Sequence, residues 1–143
     1  DSGLTTITDT GANVKTFVGG GLNWNNLTTP SGTGGVTITG ANTFNTITNG
    51  GKLTLPASTT TKVANLVSTT AGNSILSSTG GTPTTLFSTL DQNLTNTAFT
   101  DISATGATWK CLTGCSLVSG NTGINLTWTD YIRTGDMKTG DIK

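Results

Sequence analysis

A short apolar phrase recurs along the chain, with two polar or small residues between its apolar ends. It reads Trp24-Asn-Asn-Leu27, Phe44-Asn-Thr-Ile47, Val63-Ala-Asn-Leu66 and, further on, Phe99-Thr-Asp-Ile102. The starting positions lie 20, 19 and 36 residues apart, the last close to two steps of 18. A second phrase, Val36-Thr-Ile38, returns as Leu53-Thr-Leu55. A fixed period of about 20 marks a solenoid, in which each repeat is one coil that buries its apolar face only against its neighbours. The phrases are short, rich in Thr and aliphatic residues, and bounded by Gly, Asn and Ser, which predicts strands and turns rather than helices. The expected fold is all-β: a single-stranded right-handed parallel β-solenoid (β-helix) of about six coils with a C-terminal cap. At about 4.8 Å per rung, six coils make a rod about 30 Å long. Trp24, Phe44 and Val63 are expected on one internal ladder and Leu27, Ile47 and Leu66 on a second. Phe99 and Ile102 belong to the same repeat set.

Taken in order, residues 1–21 form lead-in strands ending in Gly19-Gly20-Gly21, a run that suits a tight corner or close backbone approach. Residues 22–102 carry the coils. Pro56 ends a strand because it cannot donate a ladder hydrogen bond, and the third coil places Val63, Leu66 and Val67 inside. Asn42, Asn49 and Asn73 fall at corners, where Asn tolerates left-handed backbone and can bond the next backbone amide. From 84 to 102 the spacing loosens, with Leu86, Phe87, Leu90, Leu94, Phe99 and Ile102 available to the core. Residues 103–128 depart from the period. An open solenoid end exposes strand edges, so this segment reads as the cap, with Trp109 and Trp128 filling its underside. Residues 129–143 hold six of the fourteen charges and the near-duplicate Thr134-Gly-Asp-Met-Lys138 and Thr139-Gly-Asp-Ile-Lys143. They read as a linker, or an extension ordered only against another domain or subunit.

Composition supports order. The 143 residues suit one domain, and about a quarter of them are Thr. Only 10% are charged, 7 basic against 7 acidic, and the apolar residues are periodic, unlike those of a disordered chain. Zero net charge gives no reason to expect nucleic acid or an anionic membrane as partner. No apolar run approaches the roughly 18 residues of a membrane span, so no membrane insertion is expected. No secretory signal is present, and the chain starts at Asp1 rather than Met, as a processed chain or a part of a longer polypeptide does.

The candidate chemistry is sparse. All seven acids are Asp and there is no His. Glycosidases need two carboxylates facing one groove. Asp91 and Asp101, the only acids of the coiled body past Asp9, are ten residues apart, which in a coil of about 20 puts them on different faces. They read as solvated turn acids, with Asp91 in an Asx-turn. Without His, a Ser or Cys nucleophile lacks its ordinary base. No catalytic residue, cofactor or metal is expected. Cys111 and Cys115 close a short loop around Gly114; a disulfide leads, free thiols follow and zinc comes last, since two thiols fall short of four ligands. The phrases Thr6-Ile-Thr8, Thr37-Ile-Thr39 and Thr46-Ile-Thr48 have the form of an ice-binding Thr ladder, but later coils lack them, and Thr has high strand propensity anyway. Asn26, Asn93 and Asn125 match the N-glycosylation pattern, which arises by chance in so Thr-rich a chain.

Phe44-Asn-Thr-Ile-Thr48, Gly51-Lys-Leu-Thr-Leu55, Ser74-Ile-Leu-Ser-Ser-Thr79, Phe99-Thr-Asp-Ile-Ser103, Gly106-Ala-Thr-Trp109 and Ser119-Gly-Asn-Thr-Gly123 together resemble one family. It is the Thr/Asn-rich β-solenoid modules of bacteriophage tail fibres and other virion structural proteins, also found in some bacterial surface proteins. Thr139-Gly-Asp-Ile-Lys143 resembles the lead-in to a tail-collar domain. The chain departs from the family after its Asn-Thr-Gly turn, where Ile124-Asn-Leu-Thr-Trp128 replaces a Gly-Trp-Ile-Phe type strand. The resemblance implies a non-enzymatic scaffold, virion-borne or extracellular, that spaces or presents a host-contacting region. It also implies self-association, as a homotrimer or with other virion proteins, and a host-surface glycan or protein as the contact. A bacterial adhesin or filament module is the alternative, ahead of a carbohydrate-active β-helix enzyme or an ice-binding solenoid.

Overall fold

The recurring phrase puts two apolar residues three positions apart, whereas a straight strand sends side chains to one face at every second position. Both ends of the phrase are nevertheless buried in Phe44 and Ile47, with Asn45 exposed and Thr46 half-buried between them. The strand must therefore bend at the two intervening residues, and the phrase encodes a corner of the coil. Val63 and Leu66 repeat the arrangement around Ala64 and Asn65.

A computed structural model describes residues 4–6, 13–29, 31, 34–69 and 71–127. Trp128, the tail 129–143 and part of the lead-in lie outside the described residues. The fold is an all-β parallel solenoid of about six turns. Coil one contains β1 (Leu4–Thr6) and β2 (Lys15–Val18), and coil two β3 (Asn23–Thr29) and β4 (Val36–Thr39). Coil three holds β5 (Thr43–Asn49) and β6 (Lys52–Leu55), and coil four β7 (Thr60–Ser68) and β8 (Asn73–Ser77). Coil five has three strands, β9 (Thr84–Ser88), β10 (Gln92–Thr95) and β11 (Thr97–Thr100). Coil six has β12 (Ile102–Gly106), β13 (Trp109–Thr113) and β14 (Ser116–Ser119), and β15 (Ile124–Leu126) begins a further turn. Stacking gives one sheet in the order β1-β3-β5-β7-β9-β12, a second in the order β2-β4-β6-β8-β11-β14, and a third of β10-β13-β15.

The two expected ladders are present. Trp24 pairs with Phe44 and Phe44 with Val63, while Leu27 pairs with Ile47 and Ile47 with Leu66. Trp24 is half-buried and stacks edge-on against Phe17, with ring centroids 5.1 Å apart. Phe99 and Ile102 are both buried but do not extend those ladders. Phe99 continues a column of the second sheet, above Ile75, Leu53 and Val36, whereas Ile102 sits in the first sheet opposite Thr84. Between them Asp101, at φ 55°, turns the chain from one sheet to the next, so an identical spacing here spans a different corner.

Four other expectations change. Val67 is 45% exposed because Leu66 points inward and its neighbour must point out, level with Thr48. Leu90 is exposed in the corner between β9 and β10, and Phe87 is half-buried on the outer face. Asn42, Asn49 and Asn73 are not left-handed; among the described residues the non-glycine ones with positive φ are Ser58, Asn96 and Asp101. The three Asn are buried and bridge coils instead. Residues 103–127, read as a cap that leaves the period, enter the same parallel ladders: Ala98 pairs with Ser116, Gln92 with Trp109, and Trp109 with Ile124. Trp109 is buried, its indole N–H donating to the Thr105 carbonyl at 3.0 Å.

Most buried polar groups are satisfied along the axis; among the described residues Thr61 Oγ1 is buried without a hydrogen-bond partner. Asn49 Oδ1 accepts from Thr29 Oγ1 at 2.7 Å and from Gly51 N at 3.3 Å, and its Nδ2 donates to Ser74 O at 3.3 Å. Asn73 Nδ2 donates to Asn49 O at 2.9 Å. One corner is thus a polar column running from coil two to coil four. Asn42 serves another corner, accepting from Gly21 N and Leu22 N and donating to Thr39 O and Gly40 O. At Gly19 no side chain fits, since a Cβ would come within 2.2 Å of Asn42 Oδ1.

Candidate functional site

In β9 and β10 the bend of the earlier coils becomes a break. The last pair between β7 and β9 is Lys62 with Phe87, after which the chain leaves the sheet through Thr89 to Asp91. Gln92 repairs the gap: its Oε1 accepts from Leu66 N at 2.8 Å, and its Nε2 donates to Ala64 O at 2.8 Å. A side-chain amide stands in for the missing backbone ladder, so β10 remains beside β7.

Outside this repair lies a furrow of about 380 Å³. Thr43, Lys62 and Phe87 form one wall, stacked in register through the pairs Thr43 with Lys62 and Lys62 with Phe87. Asn45, Ala64 and Thr89 follow them two residues on and form the other wall. Ala64, the smallest of these side chains, gives the furrow its depth, and Trp24 closes one end. The Trp24 indole N–H is committed to Gly19 O at 3.2 Å, so its contribution here is apolar. Lys62 is exposed, and its ammonium has no ion pair or hydrogen bond among the described residues. None of these residues stood out as a site in the sequence, because their juxtaposition depends on register across coils of unequal length.

The carboxylates do not converge. Asp91 is exposed, and its Oδ1 accepts from Thr108 N at 2.9 Å, one coil further on, rather than closing its own Asx-turn. That backbone bond lowers its pKa below the ordinary 3.8, with help from the Thr108 side chain and the nearby Lys110 charge. Asp101 is buried at a different corner, where its Oδ2 accepts from Gly81 N at 2.8 Å. The described residues contain no group of three or more His, Cys, Asp or Glu able to hold a metal.

Cys111 and Cys115 form a disulfide across the turn from β13 to β14, with Cα atoms 6.1 Å apart and Gly114 at φ 69° inside the loop. Cys111 is buried between Leu94 and Leu126 on the third sheet's inner column. The second and third Thr-x-Thr phrases do not stack on each other, since Thr37 and Thr39 belong to the second sheet and Thr46 and Thr48 to the first; Thr6 shares the first sheet and lies two rungs from Thr48 through Thr28. No protein-family model matches the chain, and neither curated proteins nor solved structures give a match.

Proposed function

We propose that the chain is a non-enzymatic structural module of a phage tail fibre or a similar virion appendage, where it spaces or presents a host-contacting region. One observation carries this reading: two six-stranded parallel sheets run the length of the stack. Every coil is hydrogen-bonded to the next through both sheets, and the Thr29–Asn49–Asn73 column ties coils internally. Such a stack resists bending because shear at any rung must break several ladder bonds at once. The disulfide suits an oxidising exterior. The motif resemblance to virion solenoid modules points the same way. In this reading the module works with copies of itself, as a homotrimer, or with other virion proteins.

The test is electron microscopy of particles and cells from the source, with gold-labelled antibody raised against the purified chain. Label on tail appendages is the expected result. Label along bacterial surface filaments instead would move the module to an adhesin. Label on neither, with the chain recovered free in solution, would overturn the structural role.

A further inference from the structure

We propose that the furrow beside β7 binds an acidic saccharide, with one carboxylate-bearing sugar ring lying on Phe87 and its carboxylate at the Lys62 ammonium. The proposal goes beyond the structural role and does not rest on it, since a spacer can have an empty furrow and a furrow can serve any solenoid. Three observations carry it. First, the furrow crosses three rungs, set by the Thr43, Lys62 and Phe87 register, so its length of about 10 Å matches one to two pyranose rings. Second, its walls alternate apolar and polar groups. Phe87 offers apolar surface on the outer face and Trp24 bounds the far end, while Thr43, Asn45 and Thr89 offer donors and acceptors to ring hydroxyls. Pyranoses present the same combination, an apolar C–H face edged by hydroxyls.

Third, the charge is of one sign. Among the described residues Lys62 is the one titratable group lining the furrow, and it has no ion pair there; it lies next to Phe87 in the adjoining rung. An exposed ammonium beside an apolar wall favours a ligand that carries an anion at its edge, through a charge-assisted hydrogen bond. Neither acid of the described residues lines the furrow, so no described group there repels a carboxylate.

The full chain, ¹⁵N-labelled, is titrated with tetramers of galacturonate, of mannuronate and of sialate, and with a neutral glucose tetramer of equal length. At least one acidic tetramer is expected to bind saturably, shifting amides at 43–45, 62–64 and 87–89, and more tightly than the neutral one. Lys62→Gln should weaken that acidic ligand about tenfold and erase its advantage over the neutral tetramer. Ala64→Leu, which fills the furrow from the outer face and keeps the charge, should abolish binding while leaving the melting temperature near that of the parent. Absence of saturable binding by all three acidic tetramers overturns the proposal. So does binding that Lys62→Gln and Ala64→Leu leave unchanged, or a neutral tetramer that binds as well as the acidic ones.

Discussion

Replacing Asn49 by Ala removes the centre of the polar column without touching the apolar ladders. The residue is fully buried, and its amide makes three bonds, to Thr29 Oγ1 at 2.7 Å, Gly51 N at 3.3 Å and Ser74 O at 3.3 Å. Its backbone carbonyl keeps its partners, Thr69 N and Asn73 Nδ2, in the variant. The short Thr29 bond dominates. Losing it strands a buried hydroxyl proton, and each stranded buried group costs about 1–3 kcal/mol. The two longer bonds add less, so the variant should lose about 2–4 kcal/mol. Urea unfolding followed by tryptophan fluorescence gives the value from the midpoint, provided the slope is unchanged. Asn45→Ala, on the exposed face of the same strand, is the control and should stay within about 0.5 kcal/mol. Thr29→Val sharpens the test. Gly50 N still donates to the Thr29 backbone carbonyl at 2.9 Å, so this variant orphans little except the Asn49 acceptor. In a double-mutant cycle Asn49→Ala and Thr29→Val should be coupled by about 1 kcal/mol. An Asn49→Ala loss no larger than the control, or two additive substitutions, would refute the load assigned to the column.

Phe44→Ala empties the first ladder at its centre and should cost about 3–5 kcal/mol in the same assay, with a value under 1 arguing against burial at that rung. The unreduced chain should weigh two hydrogens less than the dithiol form, and reduction of the Cys111–Cys115 loop should lower stability by about 2 kcal/mol; two alkylatable thiols in the native chain would contradict it. Asp91 has a depressed pKa in the fold, so its contribution is present above its unfolded pKa of about 3.9 and is lost as pH falls through the lower folded value. Asp91→Asn should therefore melt below the parent at pH 7 and converge with it towards pH 2, while a gap that stays constant with pH would show that the carboxylate carries none of it.

The coil phrase was legible because its chemistry is local. Two apolar residues three apart, repeated at 20 and 19 residues, specify both the bend and the stacking partner, and Phe44 and Ile47 lie where that rule puts them. Phe99 and Ile102 misled because a corner between two sheets and a bend within one strand have the same spacing, and only the left-handed backbone of Asp101 separates them. Residues 103–127 break the period of the phrase because coils shorten there: Cys111 pairs with Leu126 only 15 residues on, whereas Lys62 pairs with Phe87 25 residues on. Coil length follows the corners, whose loops no apolar pattern records. Gln92 illustrates the limit. Nothing in its neighbourhood along the chain marks it as the residue that mends β10 to β7, because its two partners in β7 are more than 25 residues away. The furrow was hidden for the same reason.

Oxidative cross-linking of paired cysteines tests the stack itself most directly. Thr28 and Thr48 face outward on the first sheet and are register partners one rung apart, while Val67 is the partner of Thr48 one rung further. Neighbouring rungs are about 4.8 Å apart, inside the Cα range a disulfide spans, whereas two rungs, about 9.6 Å, lie beyond its limit of about 7 Å. The stack predicts that the variant carrying Thr28→Cys and Thr48→Cys closes an intramolecular bond under mild oxidation, and that the variant carrying Thr28→Cys and Val67→Cys does not. Closure of the second pair as readily as the first, or failure of the first in a folded chain, would contradict the parallel coil register.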